Sequence, residues 1–160
     1  MLTIWRVKIS ACFSRTFIRI TWFILKLVPL RIDLLLLALV LLDSYLSAFT
    51  LFFPEAWFGA FHNAPYVDPQ GLLRRTGAVW AAFTLFQFVA LLRWRCQPYW
   101  LPLVAGIRLT EVFSDWVYVY FADSVTSYGL RNLLPAPLAN ALIAWYLIKS
   151  YHRVTQAETT

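Results

Sequence analysis

Arg108, Glu111 and Asp115 stand at i, i+3 and i+7 in the segment GIRLTEVFSDWVYVY, so on a helix all three project from one face. Ionisable side chains so spaced can pair with one another, pass a proton or hold a small solute. Covalent catalysis asks for more, namely a nucleophile with a base beside it. The only histidines, His62 and His152, fall on opposite sides of the membrane in the topology derived below, which removes a base for any nucleophile and also a two-histidine haem. No histidine–carboxylate spacing matches zinc or a di-iron pair, and Cys12 and Cys96 are too isolated to make a metal site. The expectation is a protein that is not an enzyme and carries no cofactor.

The charges are conspicuous because the chain around them is so apolar. Hydrophobic residues make up 61% of the 160 positions and charged residues 14%, with a mean hydropathy of +0.63. That balance belongs to an integral membrane protein rather than a soluble domain. Four stretches, about 33–53, 72–92, 98–121 and 130–150, are long enough for a hydrocarbon core that takes roughly 20 helical residues to cross. Together they form an all-α, four-helix transmembrane bundle over 31–153, preceded by an arm, 1–30, and followed by a polar tail, 154–160.

The basic residues orient it. Arg6, Lys8, Arg15, Arg19, Lys26, Arg31, Arg93, Arg95, Lys149 and Arg153 gather on one side of these spans, and only Arg74, Arg75 and Arg131 lie near the other. The positive-inside rule then makes both termini cytoplasmic in a multi-pass protein, as in a bacterial inner membrane. The net charge of +6 is accounted for by this asymmetry, without nucleic acid as a partner. On the cytoplasmic side Cys12 and Cys96 are expected as reduced thiols.

Residues 1–30 begin basic and turn apolar, but Arg19 and Lys26 interrupt the run and no small-residue cleavage site follows, which argues against a signal peptide. At 100° per residue Lys8, Arg15, Arg19 and Lys26 fall within about 40° of one another. The arm is therefore predicted to be an amphipathic helix in the membrane interface, its basic stripe against anionic headgroups or a partner protein. In the first external loop Pro54 suits a helix start, and Trp57, Phe58 and Phe61 recur at helical spacing, so a short helix on the outer surface is predicted there.

Counting about 1.5 Å per residue puts Arg108 some 15 Å deep, near the midplane. The same count places Asp43 in the first span, Thr84 in the second and Asn140 in the fourth at similar depth. Each charge costs about 2.5–3.5 kcal/mol at the centre of a membrane helix, so Asp43, Thr84, Arg108, Glu111, Asp115 and Asn140 are expected to converge inside the bundle. Arg108 is expected to be the hub, pairing Glu111 along its own helix and Asp43 across to the first span. Pro135 and Pro137 are expected to kink the fourth span.

Two functions fit. The first is a non-catalytic accessory or assembly subunit of a larger membrane complex, such as a respiratory or photosynthetic one, with lipids and other membrane subunits as partners. The second is a small transporter or binder of a proton, solute or apolar ligand through the Asp43, Arg108, Glu111 and Asp115 cluster. The topology is testable directly: reporter fusions at Thr160 and beside His62 should report opposite sides of the membrane, and matching signals would refute it.

Overall fold

The computed structural model describes residues 27–122 and 124–157. The predicted arm, with Lys8, Arg15, Arg19 and Lys26, lies outside the described residues. The chain divides into two compact units, Met1–Leu34 and Leu35–Thr160, and the description that follows concerns the second. All regular structure among the described residues is helical: α1 (Leu27–Phe52), α2 (Pro54–His62), α3 (Leu72–Arg93), α4 (Trp100–Phe121), α5 (Ser127–Leu133) and α6 (Pro135–Ala157).

Three stretches are long and apolar enough to cross a membrane: Leu30–Phe52, Leu72–Arg93 and the α5–α6 run Ser127–Gln156. The remaining long helix, α4, has 22 residues, about 33 Å of rise, but any membrane-length window of it contains Arg108, Glu111 and Asp115. Against the expected stretches 72–92 and 98–121 the helices run Leu72–Arg93 and Trp100–Phe121, α1 begins at Leu27 where 33 was expected, and the last stretch departs most. There the helix breaks at Leu134, because Pro135 offers no N–H to continue it, and restarts with Pro135 in its first position. The second piece runs to Ala157, beyond the point at which a polar tail was expected at 154. Hydropathy marks where a membrane ends; backbone hydrogen bonding does not stop there, and Thr155 donates its hydroxyl back to the Tyr151 carbonyl at 3.0 Å.

Burial follows helical periodicity. On α1 the covered positions are Leu36, Leu39, Asp43, Ser47 and Thr50; on α3, Gly77, Gln87 and Ala90; on α4, Leu101, Val104, Ala105 and Arg108; on α6, Pro137, Asn140, Ala144, Leu147 and Ser150. These stripes divide the core lengthwise. One half is aliphatic, built from Leu36, Leu39, Ala90, Leu101, Val104, Ala144 and Leu147, and the other carries the polar groups. Along α4 the most extensive partner is α6, with α3 on another flank. α1 meets α3 closely at Gly77, whose carbonyl accepts the Ser47 hydroxyl at 2.8 Å.

The connections are fixed by specific groups. Asn63 ends α2 in the left-handed region (φ 50°), its N–H bonded to the Gly59 carbonyl. Four residues before the start of α3, Asp68 receives the amides of Leu72 (2.8 Å) and Leu73 (2.9 Å) and the Tyr66 hydroxyl (3.0 Å). Loss of water pushes its pKa up, but those donors outweigh it and hold the carboxyl below its ordinary range. α5 is tied to α2 through Thr126, whose N–H reaches the Phe61 carbonyl and whose hydroxyl reaches that of Ala60. The same hydroxyl caps α5 by accepting from the Gly129 amide at 3.0 Å.

Cys96 is disulfide-bonded, which corrects the expectation of a reduced thiol. That expectation came from compartment alone, and sequence spacing gives no access to whether two sulfurs come within bonding reach. Cys12 lies outside the described residues.

Gly77 provides a test of the α1–α3 approach. A Cβ there would sit 2.5 Å from Thr50 Oγ1 and 3.0 Å from Leu51 Cγ, whereas a Cβ at Gly106 would meet nothing within 4 Å. Gly77→Ala should therefore destabilise the bundle by about 1–3 kcal/mol. Gly106→Ala should be neutral or stabilising, since alanine is the better helix former by about 1 kcal/mol. Thermal unfolding in detergent compares the two, and equal behaviour would show that the helices can move apart at no cost.

Candidate functional site

The guanidinium of Arg108 on α4 is covered on all sides and pairs with the carboxylate of Asp43 on α1, which is equally buried. Arg108 Nη2 bonds Asp43 Oδ2, while Nη1 stands 3.4 Å from Oδ1. The Gln87 amide on α3 completes the group by donating to Asp43 Oδ2 at 2.7 Å. Three helices thus converge on one carboxylate. A carboxylate that accepts a fork-shaped cation and an amide is the arrangement that best offsets two desolvated charges. Two buried polar atoms have no protein partner among the described residues, Arg108 Nε and Gln87 Oε1.

The sequence expectation of Asp43 paired with Arg108 is met. The pairing of Arg108 with Glu111 is not: among the described residues Arg108 is in ion-pair reach of Asp43 alone, and Glu111 Oε2 instead faces the Trp80 indole N–H at 3.4 Å. The reason is geometric. Reaching Asp43 commits the guanidinium across the helix interface, whereas Glu111, one turn on, has its face toward α3. Asp115 turns to α6 and accepts from the Asn140 amide at 3.2 Å. Glu111 and Asp115 are both half-buried.

Thr84 lies apart from the charges. Its hydroxyl donates within α3 to the Trp80 carbonyl at 2.9 Å, and the residue lines a small crevice of about 250 Å³ with Ser44 and Ser47. Gln87, one helical turn further, takes the place the depth count gave to Thr84. It is the only amide side chain between Leu72 and Arg93, and that isolation in an apolar helix is the signal that could have found it. Trp80 gave no such signal, because a tryptophan in a span reads equally well as packing.

The aromatics of α2 do more than lie on a surface. Trp57 stacks on Phe61 with ring centroids 4.4 Å apart and meets Trp80 at 5.7 Å and Phe49 at 5.8 Å, so α2 is keyed to both α1 and α3. Phe61 is buried, whereas Phe58 packs beside His62, 4.6 Å between centroids. His62 bridges two elements: Nδ1 faces the Ser124 carbonyl and Nε2 the Tyr118 hydroxyl. A carbonyl only accepts, so Nδ1 carries the hydrogen and Nε2 receives the one from Tyr118. Trp57, Phe58, His62 and Tyr118 border a cavity of about 690 Å³ at the end of the bundle that α2 covers. Asp43, Arg108, Glu111 and Asp115 line neither this cavity nor the crevice.

Among the described residues no group of three or more histidine, cysteine, aspartate or glutamate side chains could hold a metal ion. No protein-family model, no curated protein and no solved structure matches the chain.

The pairing pattern predicts a pattern of coupling. Arg108→Leu should strand the Asp43 carboxylate and destabilise the bundle by about 3–5 kcal/mol, and adding Asp43→Leu should recover much of that. The coupling between Asp43 and Arg108 should be about 1 kcal/mol or more, above the ~0.6 kcal/mol average of hydrogen bonds measured within membranes. Coupling between Glu111 and Arg108 should be the smaller, near the ~0.5 kcal/mol limit of additivity. Unfolding free energies of the single and double variants decide, and additivity at Asp43 and Arg108 would refute the hub.

Proposed function

We propose that the protein is a four-span bundle acting as a non-catalytic accessory or assembly subunit of a larger membrane complex, with both ends cytoplasmic. The observation that carries this reading is the sealing of its strongest polar group. Asp43, Gln87 and Arg108 are fully covered by neighbouring helices, so they hold helix register and rotation where a substrate would need an open path. The outward faces are rich in large apolar side chains, among them Leu41, Leu85, Leu138 and Leu142, each more than 60% exposed, which suit lipid or the helices of a neighbouring subunit. α4 is taken as the fourth span because its charges turn to α1, α3 and α6 and its apolar side chains turn outward.

A second reading, a carrier or binder of protons or small solutes, is favoured by one feature. Glu111 and Asp115 are only half-buried and have no cation in ion-pair reach among the described residues. Donors to them are the neutral Trp80 and Asn140 side chains.

The two separate experimentally. Extracted from its own membrane in a mild detergent, the full chain should migrate in an assembly of fixed stoichiometry, as read by native mass spectrometry. Replacing Lys8, Arg15, Arg19 and Lys26 with Gln should release it from that assembly as a folded bundle. A chain that is monomeric under these conditions, and that dissipates a proton gradient in vesicles unless Glu111 is changed to Gln, would overturn the accessory role in favour of the carrier.

A further inference from the structure

The cavity under α2 lies well away from the buried charges, and its chemistry differs from theirs. Its walls are aromatic and aliphatic, formed by Trp57, Phe58, Phe113, Val117 and Phe121 with Leu72 at the rim. At about 690 Å³ it falls within the roughly 300–1,000 Å³ of small-molecule sites. No lysine or arginine lines it, and its one carboxylate, Asp68, is occupied by the Tyr66 hydroxyl and two helix amides. An anion therefore finds no counter-charge there, and a cation finds only a carboxylate already engaged by three donors, whereas a neutral ring needs neither.

The polar atoms that remain all point the same way in hydrogen-bonding sense. Four hydroxyls line the cavity, and each spends its single hydrogen on the protein. Thr76 donates to the Leu72 carbonyl at 3.0 Å, Ser114 to the Glu111 carbonyl at 3.2 Å, Tyr66 to Asp68 at 3.0 Å and Tyr118 to His62 Nε2. His62 cannot donate either, since its Nδ1 hydrogen is held by the Ser124 carbonyl. What these side chains offer a visitor is oxygen lone pairs. The only other polar side-chain hydrogen of the lining is the Trp57 indole N–H, and a ligand hydroxyl can accept that bond while donating its own.

We infer that this cavity is a binding site for a neutral aromatic ligand bearing a hydroxyl group, a phenol or hydroquinol ring, which stacks among the α2 and α4 aromatics and donates its hydrogen to the hydroxyl oxygen of Tyr118 or of Thr76. A ring with carbonyls alone has no hydrogen to give and binds less well. This inference stands independently of the accessory role, because it rests on the lining and not on the helix-pairing residues.

The test compares 2-naphthol with 2-methoxynaphthalene, which has the same ring system but no donor. Binding to the full chain in phosphatidylcholine nanodiscs is measured by calorimetry, with empty nanodiscs subtracting partition into lipid. The expected result is saturable binding of 2-naphthol, about tenfold or more tighter than that of the methyl ether, as one hydrogen bond in an apolar site would give. At least one of Tyr118→Phe and Thr76→Val should cut this ratio severalfold while leaving the affinity for 2-methoxynaphthalene unchanged. Thr76 is exposed where it lines the cavity, so its valine variant keeps the fold and the readout even where Tyr118→Phe disturbs the His62 bridge. Equal affinities for the two compounds, a ratio indifferent to both variants, or no binding beyond that of empty nanodiscs would each overturn the assignment.

Discussion

A guanidinium held inside an apolar bundle admits few solutions, and Arg108 dictates the one seen here. Its charge cannot be removed by deprotonation, so a carboxylate has to reach it at the same depth and both have to be shielded together. Asp43 meets that demand from α1, and Gln87 steadies the carboxylate from α3. Three helices are thereby fixed in depth and rotation by one group of atoms. The tight α1–α3 approach is part of the same solution: with glycine at 77, Ser47 and Thr50 can lie against the α3 backbone, and Asp43 is carried within reach of Gln87 one or two turns away.

The remaining acids are treated differently. Glu111 and Asp115 face neutral donors, Trp80 and Asn140, at 3.4 and 3.2 Å, and both are half-exposed. They link α4 to α3 and to α6 without competing for the guanidinium. The polar core is thus a set of ties between neighbouring helices, two of them joining α1 to α3. Such ties supply orientation where the hydrophobic effect, which lipid tails cancel, cannot.

The cavity arises from another device, the cap formed by α2 and the loop after it. Trp57 locks α2 onto α1 and α3, Thr126 ties α2 to α5, and the His62 bridge joins it to the end of α4. The His62 bridge and the local bonds of Tyr66, Thr76 and Ser114 consume hydrogen-bond donors, and this leaves the space beside them rich in acceptors. The proposed ligand site at one end and the helix pairing in the middle therefore use separate residues.

Much of this was legible in the sequence. Long apolar runs fix helices, because a backbone without water must satisfy its own hydrogen bonds, and depth counting placed Asp43, Arg108 and Asn140 in the interior where they are found. Pro54 and the Trp57–Phe61 spacing gave α2, and Pro135 gave the break in the last span. Sequence could not choose among partners. Helical spacing made Glu111 as good a mate for Arg108 as Asp43, and depth made Thr84 as good a candidate as Gln87; the choice fell to the rotation of each helix about its axis, which only packing against neighbours sets. The cavity was invisible for the same reason. Its lining comes from α2, α3, α4 and a loop that are distant in the chain, and its acceptor character depends on where each hydroxyl sends its one hydrogen, which tertiary contacts alone decide.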